Sequence, residues 1–502
     1  MPVWNFVRRS FYQDSVTLMR LTRDLEAVPG VRRAAVMMGT PPNRAVLAQA
    51  GLLAADGESA APADLVIAVR ADDEAGARAA RDAVDAALAV SRTPVPAGRA
   101  HPRTLAGALA ALPDASLALI SVPGIYAGAE ARRALAAGLH VMLFSDNVPV
   151  DTEIALKREA AARGLFVMGP DCGSALLGGV PLGFANAVPR GRIGLVAASG
   201  TGLQEVSCRI AAEGDGVSHA IGVGGRDLSD AVGGATALRA LAALAADAAT
   251  EVIVLIGKPP GPAVAARLAE ALGGLAKPSV VYFPGAAGTA ATLEDAALAA
   301  VALARGEVPH PVEFSLPASD VARLVDEQAR TLSPGQRFVR GVYSGGTLAR
   351  EAVTLLRQRL DDVAPDVLGA EGKAHRVVDL GEDVFTVGRP HPMIDGTVRR
   401  ERILSEAAEP ATAVLLLDVV LGYGAHSDPA GELVPALAGA RRAAAGGGRG
   451  LAIVASVTGT ERDPQVCSVQ VAALRRAGVV VMPSNAQAAR LAGLIAARAA
   501  AR

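Results

Sequence analysis

The stretch that decides the fold lies at residues 193–202 and reads Ile-Gly-Leu-Val-Ala-Ala-Ser-Gly-Thr-Gly. An apolar run breaks into glycine and hydroxyl residues, and a helical pattern follows. The same kind of transition recurs at residues 338–347 and 414–424. Each stretch predicts a buried strand that leads through a glycine turn to a helix N-terminus, where free N–H groups and the helix dipole favour an anion. Three such stretches indicate a protein that handles a small anionic molecule, such as a phosphorylated one.

The composition favours α/β layers. Of the 502 residues, 51% are hydrophobic and only 3% are aromatic. Buried parallel strands in such folds are continuous runs of Val, Ile and Leu. A chain of this length predicts three or four domains. The formal net charge is −1 and no basic cluster stands out, which argues against a nucleic-acid partner.

The cysteines and the apolar runs indicate a cytoplasmic protein. Cys172, Cys208 and Cys467 have no metal-ligand spacing and do not support a disulfide framework. The N-terminus runs directly into a charged segment instead of a signal peptide. No apolar stretch reaches the roughly 18 residues that a membrane span needs. We therefore expect a soluble enzyme or enzyme subunit with no membrane partner and no metal.

Strand and helix patterns alternate along the chain, which predicts an α/β protein with several doubly wound parallel-sheet domains. A small N-terminal α/β domain is expected over residues 1–95, and a Pro-containing linker follows, up to residue 104. Three further α/β domains are expected over residues 104–190, 191–305 and 338–502. A connector with one amphipathic helix precedes the last of them.

The strongest local candidate site is formed by Ser199, Gly200 and Thr201. Glycine lets the backbone approach an anion closely, and the two hydroxyls add hydrogen-bond donors. The alternative is an ordinary turn whose serine or threonine caps the following helix.

Residues 169–174, Gly-Pro-Asp-Cys-Gly-Ser, also follow a predicted strand. Ligands of open α/β sheets bind outside the carboxyl ends of strands, so Asp171 and Cys172 are candidate substrate-binding residues. A nucleophilic role for Cys172 is less favoured than packing, because no paired base is apparent.

Residues 388–395 hold an arginine, a histidine and an aspartate among prolines, which stiffen the loop. Arg389 suits bidentate binding of a carboxylate. His391 is a candidate acid, base or oxyanion donor. The alternative is a structural Pro-rich turn with an exposed histidine.

Residues 418–429 place polar side chains around a glycine turn at Gly422 and Gly424. A carboxylate at the end of a buried strand is costly unless it is paired, so Asp418 and His426 are candidate site residues. Capping or surface placement is the alternative. Arg226 and Arg462 also follow predicted strands and could neutralise a phosphate, or could form weak surface pairs with aspartate.

Long strings of the sequence resemble the FdrA family, and this resemblance covers nearly the whole chain. The strings lie at residues 11–16, 37–41, 142–148, 168–173, 191–205, 221–229, 388–395, 417–425 and 457–465. Matches of this length are more specific than a single glycine motif.

The FdrA family in turn resembles the succinyl-CoA synthetase superfamily. This resemblance implies a Rossmann-like CoA-binding-type domain over 104–190. It also implies two flavodoxin-like ligase domains, one α-subunit-like over 191–305 and one β-subunit-like over 338–502. In the superfamily, two helices grip a phosphohistidine. Ser199, Gly200 and Thr201 match the first helix, and the loop at 422–425 matches the second.

Two departures from the superfamily remove the phosphoryl relay. Its Gly-His-Ala-Gly string is matched here by residues 284–288, Pro-Gly-Ala-Ala-Gly, which lack the histidine. The carboxylate of its Ile-Gly-Glu string is replaced by Lys258. No segment resembles an ATP-grasp domain. We therefore expect no phosphohistidine, and CoA is the one candidate cofactor.

The resemblance implies one subunit of oxamate carbamoyltransferase, an enzyme of anaerobic allantoin breakdown. This enzyme interconverts oxalurate plus phosphate with oxamate plus carbamoyl phosphate. Phosphate is expected at the paired helix N-termini, with Lys258 adding positive charge. Arg389 or Arg226 would anchor the substrate carboxylate, and His391 or His426 would polarise the carbonyl or move a proton.

Other subunits of a hetero-oligomeric enzyme are expected as partners, together with these small anionic substrates. The first alternative is an acyl-CoA ligase of the succinyl-CoA synthetase type, with CoA bound around residues 121–124. The second alternative is a non-catalytic scaffold subunit that uses the N-terminal domain for assembly.

Overall fold

A computed structural model describes residues 1–13, 15–90, 102, 104–368, 374–386 and 390–502. These residues form two compact units. The first unit comprises residues 1–115 and 382–395, and the second comprises residues 116–381 and 396–502. Most of the predicted linker at 91–104 lies outside the described residues, as does Arg389.

The first unit is built on a three-stranded antiparallel sheet with strand order β1-β3-β2. Its elements are β1 (Val3–Arg8), α1 (Ser15–Glu26), β2 (Val31–Met38), α2 (Pro41–Gln49), α3 (Ala55–Glu58), β3 (Leu65–Ala71), α4 (Glu74–Val90), α5 (Leu105–Ala111) and, later in the chain, α14 (Asp383–Thr386). Side chains of β3 alternate between two faces. Ile67 packs with Leu25 of α1 and Val84 of α4, whereas Val66 packs with Leu47 of α2.

The second unit begins with a three-stranded parallel sheet whose strands follow in simple chain order, β4-β5-β6. Its elements are β4 (Leu117–Ile120), α6 (Gly124–Ala136), β5 (His140–Leu143), α7 (Val150–Ala162) and β6 (Val167–Met168).

A six-stranded sheet follows, with order β12-β11-β9-β10-β7-β8. Its elements are β7 (Ser174–Leu177), β8 (Val180–Gly183), β9 (Ile193–Ala197), α8 (Gly200–Ala212), β10 (Val217–Gly222), α9 (Ala235–Ala246), β11 (Val252–Ile256), α10 (Pro262–Gly273), β12 (Ser279–Tyr282) and α11 (Leu293–Ala304). The predicted domain boundary at residue 190 is wrong for β7 and β8. This hairpin extends the six-stranded sheet beyond β10, because β7 pairs antiparallel with β10 and β8 pairs with β7.

A five-stranded parallel sheet completes the second unit, with order β14-β13-β15-β16-β17. Its elements, with the helix that precedes them, are α12 (Ala318–Arg330), β13 (Phe338–Tyr343), α13 (Gly346–Arg357), β14 (Arg376–Asp379), α15 (Thr397–Ala408), β15 (Thr412–Val420), α16 (Pro429–Gly446), β16 (Ala452–Thr458), α17 (Cys467–Arg476), β17 (Val480–Met482) and α18 (Asn485–Ala500). β13 and β15 lie within the stretches at 338–347 and 414–424 that the sequence indicated, apart from the first two residues of β15. Among the described helices, none combines the length and the apolarity that crossing a bilayer requires.

The two larger sheets share one strand order around their first parallel strand. β10 and β11 flank β9, and β14 and β15 flank β13. The chain therefore leaves β9 and β13 at the point where the winding direction reverses, which is where open α/β sheets bind ligands. Both glycine turns, at 198–202 and 344–347, lie at these points. This arrangement confirms an α/β protein with several mainly parallel sheets.

Candidate functional site

The first glycine turn forms a capped helix N-terminus. Ser199 has an extended backbone (φ −149°), and its hydroxyl accepts a hydrogen bond from Gly202 N at 2.9 Å. This cap uses one of the free N–H groups in the first turn of α8. Gly200 and Thr201 stand at the first two helical positions, where N–H groups point out of the helix.

The second glycine turn forms a helix N-terminus without a side-chain cap. α13 begins at Gly346, and its N-cap residue is Gly345, which makes no side-chain cap hydrogen bond. The turn before it is held by Asp418 of the neighbouring strand β15. Its carboxylate accepts hydrogen bonds from Ser344 N at 2.9 Å and from Gly345 N at 2.8 Å. Asp418 therefore fixes the entry to α13.

These two helix N-termini meet. The hydroxyls of Ser199 and Thr347 are 2.5 Å apart, and a Cβ built on Gly345 would lie 3.0 Å from Thr201 Cγ2. Each N-terminus carries a partial positive charge, and the carboxylates of Asp418 and Asp379 lie beside the entry to α13. The arrangement is suited to a small oxyanion held by neutral hydroxyl and N–H donors.

Asp418 is a buried structural anion. It is fully buried, and Arg399, which is 3% exposed, donates from Nη2 to its Oδ1 at 3.0 Å. The same Nη2 donates to Val342 O at 3.0 Å. Burial raises the pKa of Asp418, and Arg399 and the N–H of Ser344 oppose this effect. The predicted site role of Asp418 is therefore best described as positioning the turn before α13.

The loop at 422–425 is not a helix N-terminus, which corrects the prediction for the second helix. Gly422 N donates to Gln465 Oε1 at 3.1 Å, and Tyr423 N donates to Ala185 O at 2.9 Å. α16 begins only at Pro429, after a cap by Asp428. The N–H of Gly422 is thus already bonded, and Gly424 packs against Phe184. The helix that α8 faces is α13.

Asp171, Cys172 and Arg226 are brought together in the second unit. A Cβ built on Gly225 would lie 3.4 Å from Asp171 Oδ2, and one on Gly222 would lie 2.6 Å from Cys172 Sγ. Burial raises the pKa of the Cys172 thiol to about 12, so it is protonated at neutral pH and disfavoured as a nucleophile. This agrees with the packing alternative.

Arg226 is held at the surface by a buried ion cluster that the sequence did not reveal. Its Nη2 donates to Val148 O at 2.7 Å and lies 3.0 Å from Glu153 Oε2. Beneath it, the buried Lys157 contacts Glu153 at 2.8 Å and Asp227 at 2.6 Å. The Arg226 side chain is 43% exposed, so its remaining donors are available to a ligand.

The other predicted residues are less closely tied to the helix pair. Lys258 is exposed and follows β11. His426 is half-buried, and its Nδ1 accepts a hydrogen bond from Asp428 N at 3.0 Å. His391 belongs to the first unit, where its Nδ1 accepts from Met393 N at 3.2 Å. The roles of these residues stay predictions, as does that of Arg389, which lies outside the described residues.

Three buried carboxylates lie one turn behind the helix pair. Glu205 of α8 accepts a hydrogen bond from Asn485 N at 3.2 Å, and Glu351 of α13 accepts from Asn485 Nδ2 at 2.7 Å. Glu294 of α11 contacts Arg209 at 3.2 Å. Asn485 thus links α8, α13 and α18, and burial raises the pKa of Glu351 to about 7. This network holds the two N-termini in a fixed relation.

The raised pKa of Glu351 predicts a pH-dependent stability. The ordinary pKa is 4.5 and the folded value is about 7, so the stability from protonated Glu351 is complete below pH 4.5 and is lost as the pH rises to 7. The variant E351Q removes this loss. When the pH rises from 4 to 8, the difference in the free energy of unfolding between E351Q and wild type is expected to change by about 3 kcal/mol in favour of E351Q. Urea unfolding at both pH values measures this change. Parallel pH dependences for E351Q, wild type and the exposed control E307Q would contradict it.

Sequence reasoning missed Thr347, Ser174 and Arg399. Thr347 stands inside the second quoted stretch, and the recurrence of the strand-glycine-helix pattern was the signal that pointed to it. Ser174 ends the string 169–174, in which only Asp171 and Cys172 were candidates, whereas Arg399 had no comparable signal because side-chain packing brings it to Asp418.

Family models match both ends of the chain. One described as CoA-ligase matches residues 342–495, and one described as AllF, heavy metal-associated domain, matches residues 1–102.

Of three curated relatives, one is similar over nearly the whole chain and two are similar over about a third of it. The chain is 39% identical over 510 residues to YahF, an uncharacterized protein of Escherichia coli K12, with 98% of each protein covered. It is 31% identical over 180 residues to the ADP-forming sulfoacetate-CoA ligase subunit SauD of Bilophila wadsworthia, covering 34% of this chain and 60% of that protein. It is 30% identical over 181 residues to the mitochondrial succinate–CoA ligase subunit alpha-2 of Trichomonas vaginalis, covering 32% and 56%.

The description of the N-terminal family raises the question of a heavy metal. Such ions prefer thiolate and imidazole ligands. Residues 1–100 contain neither cysteine nor histidine. In the part of the chain that the structure describes, no three His, Cys, Asp or Glu side chains are grouped as a metal site would require. The N-terminal domain does not fit a soft metal ion, and we derive no step through one.

The description of the C-terminal family raises the question of CoA, which the sequence placed around residues 121–124. The order β4-β5-β6 has no reversal that would open a crevice for a nucleotide. A Cβ built on Gly124 would lie 2.2 Å from Asp146 O and 2.6 Å from Asn147 O. These carbonyl oxygens cover the N-terminus of α6 and would repel phosphate. This helix end does not fit the CoA diphosphate, and we derive no step through CoA.

The full-length similarity to YahF and the two matching family models together show the family of the chain. The chain belongs to the CoA-ligase family of the succinyl-CoA synthetase type, and it carries an AllF-type heavy metal-associated domain at its N-terminus.

Proposed function

We propose that this protein is an FdrA-like subunit of a carbamoyltransferase that interconverts oxalurate plus phosphate with oxamate plus carbamoyl phosphate. The observation that carries the proposal is the meeting of α8 and α13, with Ser199 and Thr347 hydroxyls 2.5 Å apart. A site of neutral donors between two helix N-termini suits inorganic phosphate and carbamoyl phosphate alike. The AllF-type N-terminal domain supports a place in allantoin breakdown.

The sequence around this site favours free phosphate over a phosphoenzyme. Residues 284–288 contain no histidine, and Lys258 stands where the superfamily has a carboxylate. Without the nucleophile, a phosphate held between the helices is itself the attacking group. Its oxygen attacks the ureido carbon of oxalurate, the bond from that carbon to the oxamate nitrogen breaks, and this nitrogen takes a proton as oxamate leaves.

The residue roles follow from where the charges lie. Ser199, Gly200, Thr201 and Thr347 hold the phosphate. Arg226, anchored by Val148 O and Glu153, offers its free donors to the carboxylate of oxalurate. The proton for the leaving nitrogen comes from His426, because imidazole exchanges protons near neutral pH.

An acyl-CoA ligase is the second candidate, favoured by the CoA-ligase match at residues 342–495 and by the similarity to SauD. It requires CoA to bind away from the covered N-terminus of α6. It also requires a partner that supplies the nucleotide site, because no ATP-grasp segment is apparent in the sequence. The similarity to separate ligase subunits supports partner subunits for either activity.

The proposal is tested by phosphorolysis of oxalurate with the purified chain, alone and with its co-expressed genomic neighbours. Carbamoyl phosphate is the measured product. We expect its formation only with the partners present. Parallel assays follow acyl-CoA formation from succinate or sulfoacetate with ATP and CoA. Acyl-CoA formation without phosphorolysis would favour the ligase, and activity of the partners in the absence of this chain would indicate a scaffold.

A further inference from the structure

Ser174 is a buried residue of the second unit, and its hydroxyl oxygen is not among the fully enclosed unpaired atoms of the described residues. Ser174 is 3% exposed and begins β7. No hydrogen bond of its Oγ is found within the described ranges, whereas the buried hydroxyl of Ser207 donates to Gln204 O at 3.0 Å and that of Ser484 to Glu294 at 2.6 Å. Because this hydroxyl has no protein partner there, its donor is available to a ligand.

This hydroxyl points at the N-terminus of α8. A Cβ built on Gly200 would lie 3.0 Å from Ser174 Oγ and 3.8 Å from Ser174 Cβ. Gly200 is the first residue of α8 and adjoins Ser199, whose hydroxyl contacts Thr347. Glycine at this position leaves the hydroxyl and the helix N–H groups open to the same point. A larger residue there would press on the hydroxyl.

The β7 strand holds Ser174 in place independently of the two helices. β7 pairs antiparallel with β10 and with β8. A Cβ built on Gly222 of β10 would lie 2.3 Å from Ser174 O, so the two backbones are in close contact. Ser174 therefore approaches α8 from a rigid sheet edge and not from a loop.

We propose that Ser174 is a third binding element of the oxyanion site, and that its hydroxyl donates a hydrogen bond to the phosphate held between α8 and α13. This inference rests on the proposed function and deepens it. The bound group then has donors from three parts of the chain: the first turn of α8, Thr347 at the start of α13, and Ser174 at the start of β7. All of them are uncharged, so the site selects a tetrahedral oxyanion by its donor geometry.

The test is titration of inorganic phosphate into the full-length protein, followed by isothermal calorimetry. The variants are S174A, S199A and, as the matched control on α8, S207A. Loss of one neutral hydrogen bond to the ligand is expected to weaken phosphate binding by S174A about 10-fold. The control S207A is expected to bind phosphate as wild type does.

Thermal unfolding without phosphate separates binding from structure. Removing a hydroxyl that has no protein partner should leave the Tm of S174A unchanged or higher, whereas a purely structural hydroxyl would lower it. Wild-type phosphate affinity in S174A would overturn the role of Ser174. A lower Tm of S174A, together with phosphate binding weakened no more than in S207A, would overturn it as well. If S199A loses binding while S174A does not, the phosphate site stands and only Ser174 is excluded. If wild type binds no phosphate, the proposed function fails as well.

Discussion

Replacing Asp418 by alanine is expected to lower the free energy of unfolding by about 4 kcal/mol and to abolish phosphate binding. Removal of this carboxylate leaves Arg399 charged and buried, at 3% exposure, without its ion-pair partner. It also leaves the N–H groups of Ser344 and Gly345 without an acceptor, so the turn that begins α13 is no longer held. Urea unfolding and phosphate calorimetry measure the two effects.

Two further variants separate charge from position. The double variant R399M/D418M removes both charges, so it should recover most of the lost stability, since apolar replacement of a buried ion pair is often neutral. It should not recover phosphate binding, because the turn still lacks its acceptor. The exposed-site variant D361A is expected to behave as wild type. A D418A protein with wild-type stability would show that the buried pair does not hold this turn.

Replacing Thr201 by aspartate is expected to weaken phosphate binding strongly without destabilising the fold. Thr201 is the second residue of α8 and adjoins Gly345 at the entry to α13. A carboxylate there would take the place of the anion between the two helix N-termini and would add about 0.5 kcal/mol to the stability. It would repel phosphate and weaken its binding on the order of 100-fold. Thermal unfolding and calorimetry report these opposite effects.

The matched control places the same charge at another helix N-terminus. Ser319 is the second residue of α12 and is exposed. The variant S319D should have wild-type phosphate affinity, because Ser319 is exposed and α12 is not one of the two helices of the proposed anion site. Wild-type phosphate binding by T201D would contradict an anion site at this position. A large loss of stability in T201D would show that the helix pair is compensated without an anion.

Most of the fold could be predicted because the strands are buried on both faces. The five residues of β11 and the nine of β15 are all buried and, apart from Thr412 and Asp418, all apolar, so the sequence shows them as long apolar runs. The hairpin β7–β8 was assigned to the wrong domain for a different reason. Its strands have four residues each. The partner of β7 is β10, which follows only after β9 at residues 193–197, and no local pattern connects the two strands.

The candidate site was predicted in part. Ser199 and Gly200 could be found because a helix cap and a glycine turn are local features. The partner helix was assigned to 422–425, since a strand followed by glycines resembles a helix entry, but the chain there bonds to Gln465 and to Ala185 before α16 begins. Ser174 and Arg399 reach the site through strand pairing and packing, which depend on the whole fold.

The most direct test of the anion site between α8 and α13 is a crystal structure of the protein grown with saturating inorganic phosphate. We expect a tetrahedral difference-density peak within hydrogen-bond distance of Gly200 N, Thr201 N and the hydroxyls of Ser199 and Thr347. A peak at another place in the second unit, or none at a concentration that saturates binding in solution, would contradict the claim that α8 and α13 form the anion site.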